Sequence, residues 1–120
     1  MGLFGFGNKE QKSSLLRWEP IVAMSDLDKI VELSHHTSVL IFKHSTRCSI
    51  SSMALNRLER EWEETNVIPY YLDLLNYREI SNEIAFRFGV THQSPQVLLL
   101  EEGKCVFDAS HSAISFEQLK

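Results

Sequence analysis

The sequence predicts a single α/β domain in which a mixed four-stranded sheet is covered by helices on both faces. Strand-like and helical segments alternate along most of its 120 residues. Two β–α–β crossovers predict parallel neighbours, and a closing hairpin adds antiparallel strands. A hydrophobic content of 43% is enough for one core.

Four apolar segments predict the strands, over residues 38–42, 67–74, 96–100 and 104–109. The first is a continuous apolar run, which is typical of a strand buried on both faces. Pro69 cannot donate to a ladder, so it belongs at the start of its strand or on an open side. Glu102 and Gly103 form a tight-turn signal between the last two segments, which therefore predict a hairpin.

Three segments repeat apolar residues at helical spacing, beginning at Ser25, Ile50 and Arg78. In the second, an apolar stripe recurs every four residues and is flanked by Met53, while charged residues form a solvated face. The third segment ends at Gly89, which suits a left-handed helix terminus. A short last helix is expected from Ser115 onward.

Composition and charge limit the classes of protein that fit. The net charge of −4, with acids and bases interleaved, argues against a nucleic-acid surface. No apolar run approaches the length of a membrane span, and the opening residues do not read as a secretory signal. We predict a flexible leader over residues 1–17, with weak docking as its alternative role, followed by one domain over 18–120. The expected compartment is the cytoplasm.

The chain has two cysteines, and both are expected to be thiols. Cys48 lies where a buried strand hands over to a helix, so unpaired amides and the helix dipole favour its nucleophilic thiolate form. Arg47 adds positive charge nearby. The alternative is a small residue that caps the helix. Cys105 alternates in phase with Phe107, which favours a packing thiol over a resolving cysteine near Cys48.

Ser51 stands three residues after Cys48, where a dithiol reductase carries its second cysteine. Its hydroxyl can hydrogen-bond the thiolate but cannot displace it from a mixed disulfide. The chemistry should therefore stop after one exchange and need an outside thiol.

A strand, a Cys-x-x-Ser at a helix start and a Ser-Pro before the next strand together resemble the thioredoxin superfamily. The closer resemblance is to the monothiol bacilliredoxins of the YtxJ-like group, and it covers roughly residues 20–118. Four segments carry it: residues 43–51, 78–85, 88–96 and 110–112. This chain departs from the family in having Ser49 where Pro is usual and Arg47 where Thr is common.

The resemblance implies a bacterial cytoplasmic protein that removes bacillithiol, a low-molecular-weight thiol, from mixed disulfides on other proteins. Cys48 would be the attacking thiol. Pro95 would be the cis-proline that faces it, leaving the backbone of Ser94 free to pair with an extended substrate. His92 and His111 would flank loops near the thiol and bind an acidic group or protonate a leaving thiolate. Solvent-facing or loop-bracing roles remain open for both histidines.

The expected activity is thus that of a monothiol thiol–disulfide oxidoreductase, with catalytic residues Cys48 and Ser51. Arg47, His92, Ser94, Pro95 and His111 are the expected substrate-binding residues. No tightly bound cofactor and no metal are expected, and bacillithiol would act as a co-substrate. The rival hypothesis is a non-enzymatic binding module whose groove holds a partner peptide.

Overall fold

The computed structural model describes residues 16–119, which form five strands, three α-helices and two short 3-10 helices. The strands are β1 (Glu19–Pro20), β2 (Val39–His44), β3 (Ile68–Asp73), β4 (Gln96–Glu101) and β5 (Lys104–Ser110). The α-helices are α1 (Met24–Leu33), α2 (Ser49–Glu61) and α3 (Arg78–Phe88).

The strands form one mixed sheet in the order β1-β3-β2-β4-β5. The first three run parallel, whereas β4 is antiparallel to both β2 and β5. The α/β class and the mixed sheet are confirmed, with one strand more than the four predicted. The additional strand, β1, has only two residues, one of them Pro20, and is too short to show an apolar alternation.

Alternate residues of β2 point to two cores, one on each face of the sheet. Leu40 and Phe42 pack on the face covered by α2, whereas Val39 and Ile41 pack on the face covered by α1 and α3. All four side chains are fully buried. Burying a side chain of this kind contributes about 1.5–3 kcal/mol relative to leaving it exposed, so β2 is a main source of stability.

The start of α1 differs from the prediction. The helix begins at Met24, and Ser25 is an exposed residue inside its first turn. The Asp26 carboxylate instead accepts from the backbone N–H groups of Val22 at 2.9 Å and Ala23 at 3.1 Å. A carboxylate inside the first turn thus satisfies the amides that precede it, as helix termini require.

The predicted helix terminus at Gly89 and the predicted tight turn at Glu102 and Gly103 are both confirmed. Gly89 ends α3 with a φ of 65°, in the left-handed region that glycine adopts without a Cβ penalty. Glu102 and Gly103 join β4 to β5 with φ values of 53° and 76°. Two consecutive positive φ angles are typical of the turns that match the twist of a β-hairpin.

The predicted last helix is a single 3-10 turn, Phe116–Leu119, and a second such turn spans His111–Ala113. Phe116 and Leu119 are nevertheless buried, and the ring of Phe116 packs on Trp62 with centroids 4.9 Å apart. Packing against α2 therefore fixes this segment without a longer helix.

The predicted division into a leader and a domain stays a prediction, because residues 1–15 lie outside the described part. Leu16 is already buried in the core on the α2 face, two residues before the predicted start of the domain. Between residues 16 and 119, no helix has both the length and the apolar character needed to cross a membrane.

Candidate active site

Four strand ends meet at one edge of the sheet. β2 and β3 end there, at His44 and Asp73, which pair with each other. β4 starts there at Gln96, which pairs with Lys43 of β2 and with Ser110 at the end of β5. The segments that follow or precede these ends contain every candidate site residue, because parallel and antiparallel neighbours bring them to the same edge.

Cys48 lies at the N-terminus of α2, as the sequence predicts. It is the N-cap residue, with the extended angles φ −109° and ψ 120°, and its side chain is half-buried. Its N–H donates to the carbonyl of Ser45 at 3.1 Å, and its carbonyl accepts from the N–H of Ser52 at 3.1 Å. The half-buried side chain thus lies at the N-terminus of α2, where the first amides of the helix are free and the helix dipole is positive.

Arg47 is exposed, and it makes no hydrogen bond or ion pair with any other residue of the 16–119 region. Its guanidinium is therefore available to an incoming group beside the thiol. A free guanidinium favours anionic partners, because its N–H donors match a carboxylate geometrically.

Ser51 is fully buried, and its hydroxyl holds the loop that carries the thiol. It accepts from the backbone N–H of Ser45 at 3.0 Å and lies 2.7 Å from Nδ1 of His44. The sulfur of Cys48, by contrast, has no hydrogen-bond partner among the residues that the structure describes. Ser51 thus acts on Cys48 through the loop, not through the hydrogen bond to the sulfur that its position allowed.

His44 is buried on the α2 face of the sheet. Burial lowers the pKa of His44, and the carboxylates of Asp73 and Glu59 only partly oppose this effect. The ring is therefore neutral near pH 7. In one tautomer Ser51 donates to Nδ1, and in the other Nδ1–H donates to the Ser51 hydroxyl; both forms keep the contact.

Lys43 is buried on the opposite face of the sheet, with none of its surface exposed. Its ammonium donates to the backbone carbonyl of Ser81 at 3.2 Å and lies 3.3 Å from Nδ1 of His92. Burial lowers the pKa of Lys43 to about 8. No carboxylate within residues 16–119 accepts from this ammonium, so it is a buried charge held by neutral groups.

The predicted strand over 38–42 ends before Lys43 and His44, whereas these are the last two residues of β2. Polarity made them look like loop residues. The available signal was the strand itself, since continuing its alternation by two residues sends one side chain to each face.

Pro95 directly precedes β4. Its peptide bond with Ser94 is cis, as the resemblance implies. The loop before it is braced by Gln96, which is buried. The Gln96 amide donates to the carbonyl of Thr91 at 3.0 Å and accepts from the N–H of Gln93 at 3.4 Å. His92 therefore lies in a loop that is held at both ends.

Ser94 and His111 complete the edge. The hydroxyl of Ser94 is buried and has no hydrogen-bond partner within the described part of the chain, a feature that is uncommon in native structures. The N–H of His111 donates to the carbonyl of Pro95 at 3.1 Å, and the carbonyl of His111 accepts from Arg57 at 3.4 Å. The backbone thus joins His111 to Pro95, while His92 is joined to Lys43.

An apolar pocket lies between the N-terminal half of α2 and the His111–Ala113 turn. Ile50 and Met53 belong to the predicted apolar stripe and its flank, yet they are 53% and 63% exposed. With Arg57, His111 and Ser112 they line a shallow pocket of about 350 Å³. The apolar stripe therefore does not enter the core along its whole length, and these two side chains form an apolar surface in the first turns after Cys48.

Cys105 is far from the thiol site. It pairs with Leu100, which pairs with Val39 at the other end of β2, about 16 Å from His44 at roughly 3.3 Å per residue. A disulfide requires Cα atoms no more than about 7 Å apart. Burial raises the pKa of the Cys105 thiol, which is half-buried and packs against the core on the α1 and α3 face. The packing role is therefore supported.

The expected phase of Cys105 and Phe107 is wrong. The ladder shifts between Leu99 and Leu100, which pair with Phe107 and Cys105 and leave Val106 as an extra residue. This bulge sends Phe107 to the α2 face and Cys105 to the opposite face.

The order of the strands and the thiol at the N-terminus of α2 define a thioredoxin fold. The structure is similar to that of a thioredoxin-fold protein provisionally described as an oxidoreductase, with a TM-score of 0.74 and 27% identity over 83% of this chain and 88% of the other. It is also similar to the long form of spinach chloroplast thioredoxin f, with a TM-score of 0.64 and 15% identity over 92% and 87%. Malassezia sympodialis thioredoxin matches with a TM-score of 0.62 and 16% identity, over 80% of each chain.

The family model of the monothiol bacilliredoxin BrxC matches residues 19–119. The chain therefore belongs to the monothiol bacilliredoxin family, which confirms the resemblance drawn from the sequence. Membership makes it a thiol redox protein of the oxidoreductase class, with thiol-containing partners.

Proposed function

We propose that this protein is a monothiol thiol–disulfide oxidoreductase that removes bacillithiol from protein mixed disulfides through Cys48. The observation that carries the proposal is the half-buried sulfur at the N-terminus of α2, with a buried serine in the resolving position. Cys105 lies on the other face and at the other end of the sheet, which leaves one thiol for the exchange.

The proposed reaction has two exchange steps. The thiolate of Cys48 attacks the sulfur of bacillithiol in the mixed disulfide, and the cysteine of the substrate protein leaves as a thiolate that takes up a proton from solvent. A second bacillithiol thiolate then attacks the bacillithiol sulfur bound to Cys48. This step releases bacillithiol disulfide and regenerates the Cys48 thiolate, so the electron pair reducing the substrate comes from the second small thiol.

Ser51 supports the monothiol character of this reaction. The serine oxygen cannot displace the bound thiol by forming a disulfide. The hydroxyl is also already hydrogen-bonded to the N–H of Ser45 and to Nδ1 of His44. A mixed disulfide on Cys48 therefore waits for an external thiol. The small thiol acts as a co-substrate, and the proposed reaction needs no tightly bound cofactor.

The hydrogen-bond donors at this edge favour a small thiol with an acidic group. Arg47 is free beside Cys48, and we assign His92 and His111 as further contacts to the small thiol. The apolar pocket along α2 suits the substrate protein, because Ile50 and Met53 are exposed there. The cis-proline loop would pair with the extended substrate through the backbone of Ser94. We place this exchange in the cytoplasm.

The test uses a carrier protein with bacillithiol on a single cysteine, and the same carrier loaded with glutathione. We expect transfer of bacillithiol to Cys48, detected by mass spectrometry, and faster release from the first carrier than from the second. Cys105→Ala should retain the transfer, whereas Cys48→Ser should abolish it. Equal release by wild type and Cys48→Ser would contradict the proposal.

The rival function, peptide binding without exchange, makes the opposite prediction for Cys48→Ser. A binding module would keep its affinity for an extended peptide and would show no adduct in the wild type. The same mass measurement therefore separates the two functions.

A further inference from the structure

The ammonium of Lys43 is an expensive group for this fold to bury. It has no exposed surface and no carboxylate partner among the described residues, and its contacts are the carbonyl of Ser81 and Nδ1 of His92. A buried charge without a counter-ion is destabilising, so such a group is usually retained for a function. Its contact with His92 indicates what that function is.

The contact determines the protonation state of His92. An ammonium has three donors and no acceptor, so Nδ1 of His92 must be the acceptor across the 3.3 Å contact. An accepting Nδ1 leaves the ring proton of the neutral imidazole on Nε2. The ring is also 3.5 Å from the hydroxyl of Ser81, which can donate to the same nitrogen.

Protonation of His92 would place two cations in contact. Burial lowers the pKa of His92, and the positive charges of Lys43 on β2 and Arg78 on α3 lower it further. The imidazole of His92 therefore takes up a proton only at a lower pH than a free histidine does. Nε2 lies on the far side of the ring from Lys43, and His92 is exposed overall.

We propose that Lys43 is a positioning residue that holds His92 as a neutral Nε2–H donor for an acidic group of the small thiol. This inference rests on the proposed function and assigns a role to a lysine on the face of the sheet opposite α2. The His92 loop is held at the same edge by Gln96, which pairs with Lys43 in the sheet. One buried cation thus sets both the orientation and the tautomer of the donor.

The first test reads His92 without turnover. Imidazole ¹⁵N NMR of the wild type should show Nε2 protonated and Nδ1 unprotonated near pH 7, with a titration midpoint below that of a free histidine. In Lys43→Met, the midpoint should rise and the tautomers should mix. Lys43→Gln replaces the ammonium by an uncharged amide donor. In this variant His92 should keep its Nε2–H tautomer, while the midpoint of its titration rises. An unchanged His92 spectrum in Lys43→Met would overturn the proposal.

The second test measures the kinetics of the exchange reaction in a double-mutant cycle of Lys43 and His92. We expect His92→Ala and Lys43→Met each to raise the KM for the small thiol about tenfold, which is the effect of losing one hydrogen bond to a charged group. The double variant should be no worse than His92→Ala, because Lys43 acts through His92. His36→Ala, at an exposed histidine after α1, is the matched control with unchanged kinetics.

Multiplicative effects of the two variants would contradict the proposal. So would a loss in kcat with no change in KM, since that would indicate a role in chemistry or folding. The two tests also separate this inference from the proposed function. A wild type that performs no exchange would overturn the function, whereas the NMR measurement would still report the effect of Lys43 on His92.

Discussion

The sulfurs of Cys48 and Cys105 have different surroundings, although both side chains are half-buried. Cys48 lies at the positive end of α2, next in sequence to an exposed Arg47 that has no partner within residues 16–119. Cys105 packs against the core on the α1 and α3 face, donates to the carbonyl of Phe107 at 3.3 Å and has its pKa raised by burial. Reactivity at this scale follows from position, not from residue type.

Alkylation at pH 7 should therefore modify Cys48 well before Cys105. Iodoacetamide labelling followed by peptide mass spectrometry measures the two rates in the same sample. Protein unfolded in urea is the control, and there the two cysteines should react at similar rates. Equal rates in the folded protein, or faster labelling of Cys105, would contradict the assignment of Cys48 as the reactive thiol.

The position of Cys48 at a helix N-terminus could be predicted because the sequence pattern that indicates it is local. A buried strand, a polar turn and an amphipathic helix follow one another within about twenty residues, and this order places the thiol at a helix N-terminus. The pairing of Lys43 with His92 could not be read in this way. It joins residues 49 positions apart, and only the antiparallel pairing of β2 with β4 brings them together.

At the scale of elements, β2 and α2 are joined by the contact of Ser51 with His44 and Ser45. The hydroxyl of Ser51 satisfies a backbone N–H and a buried imidazole, at 3.0 Å and 2.7 Å. Both partners belong to the segment that leads to Cys48. This contact fixes where the helix begins relative to the strand, and therefore where the thiol lies.

Ser51→Ala should lower the free energy of unfolding by about 1–3 kcal/mol, because it leaves buried partners unsatisfied. Urea denaturation measures this change. The matched control is Ser52→Ala, next in the same helix and only half-buried, which should change stability by less than about 0.5 kcal/mol. Equal effects of the two substitutions would show that Ser51 does not hold the loop.

The periodicity of apolar residues predicted the helices and strands closely. It could not distinguish apolar residues that pack in the core from those exposed near the candidate site. Ile50 and Met53 have the spacing of core residues, yet the N-terminal turns of α2 extend to the edge of the sheet, where no other described element covers them. The bulge at Val106 is a second example, because an extra residue in one strand leaves no mark on the apolar pattern.

At the scale of the whole molecule, the buried charge of Lys43 makes stability depend on pH. Its pKa is about 8 in the folded protein, against the ordinary value of 10.5 that a lysine has when it is exposed in the unfolded chain. Between these values the unfolded chain binds more protons, so stability rises with pH. Below pH 8 both states are protonated, and the full cost of about 3 kcal/mol applies.

Lys43→Met should consequently be more stable than the wild type at pH 7, by up to about 3 kcal/mol. The difference should shrink as the pH rises from about 8 to 10.5, where the wild type loses the buried charge. Denaturation at a series of pH values measures both quantities. A variant less stable than the wild type at pH 7 would show that the ammonium stabilises the fold, contrary to this account.

The proposed mechanism requires that Cys48 act as a single thiol. In a Cys105→Ala variant, Cys48 is the only cysteine left in the sequence. The lifetime of a bacillithiol adduct on Cys48 then tests the single-thiol mechanism most directly. The adduct is formed, excess reagent is removed, and its mass is followed without added thiol. A second sample carries Ser51→Cys, since residues three apart at a helix start are neighbours.

We predict that the adduct on Cys48 persists in the Cys105→Ala protein until external thiol is added. In the protein that also carries Ser51→Cys, the adduct should decay as an internal disulfide forms. Ser51 lacks a sulfur to attack, whereas a cysteine in its place provides one. Equally fast decay of the adduct in both proteins would mean that another group resolves it, and the monothiol mechanism would then be wrong.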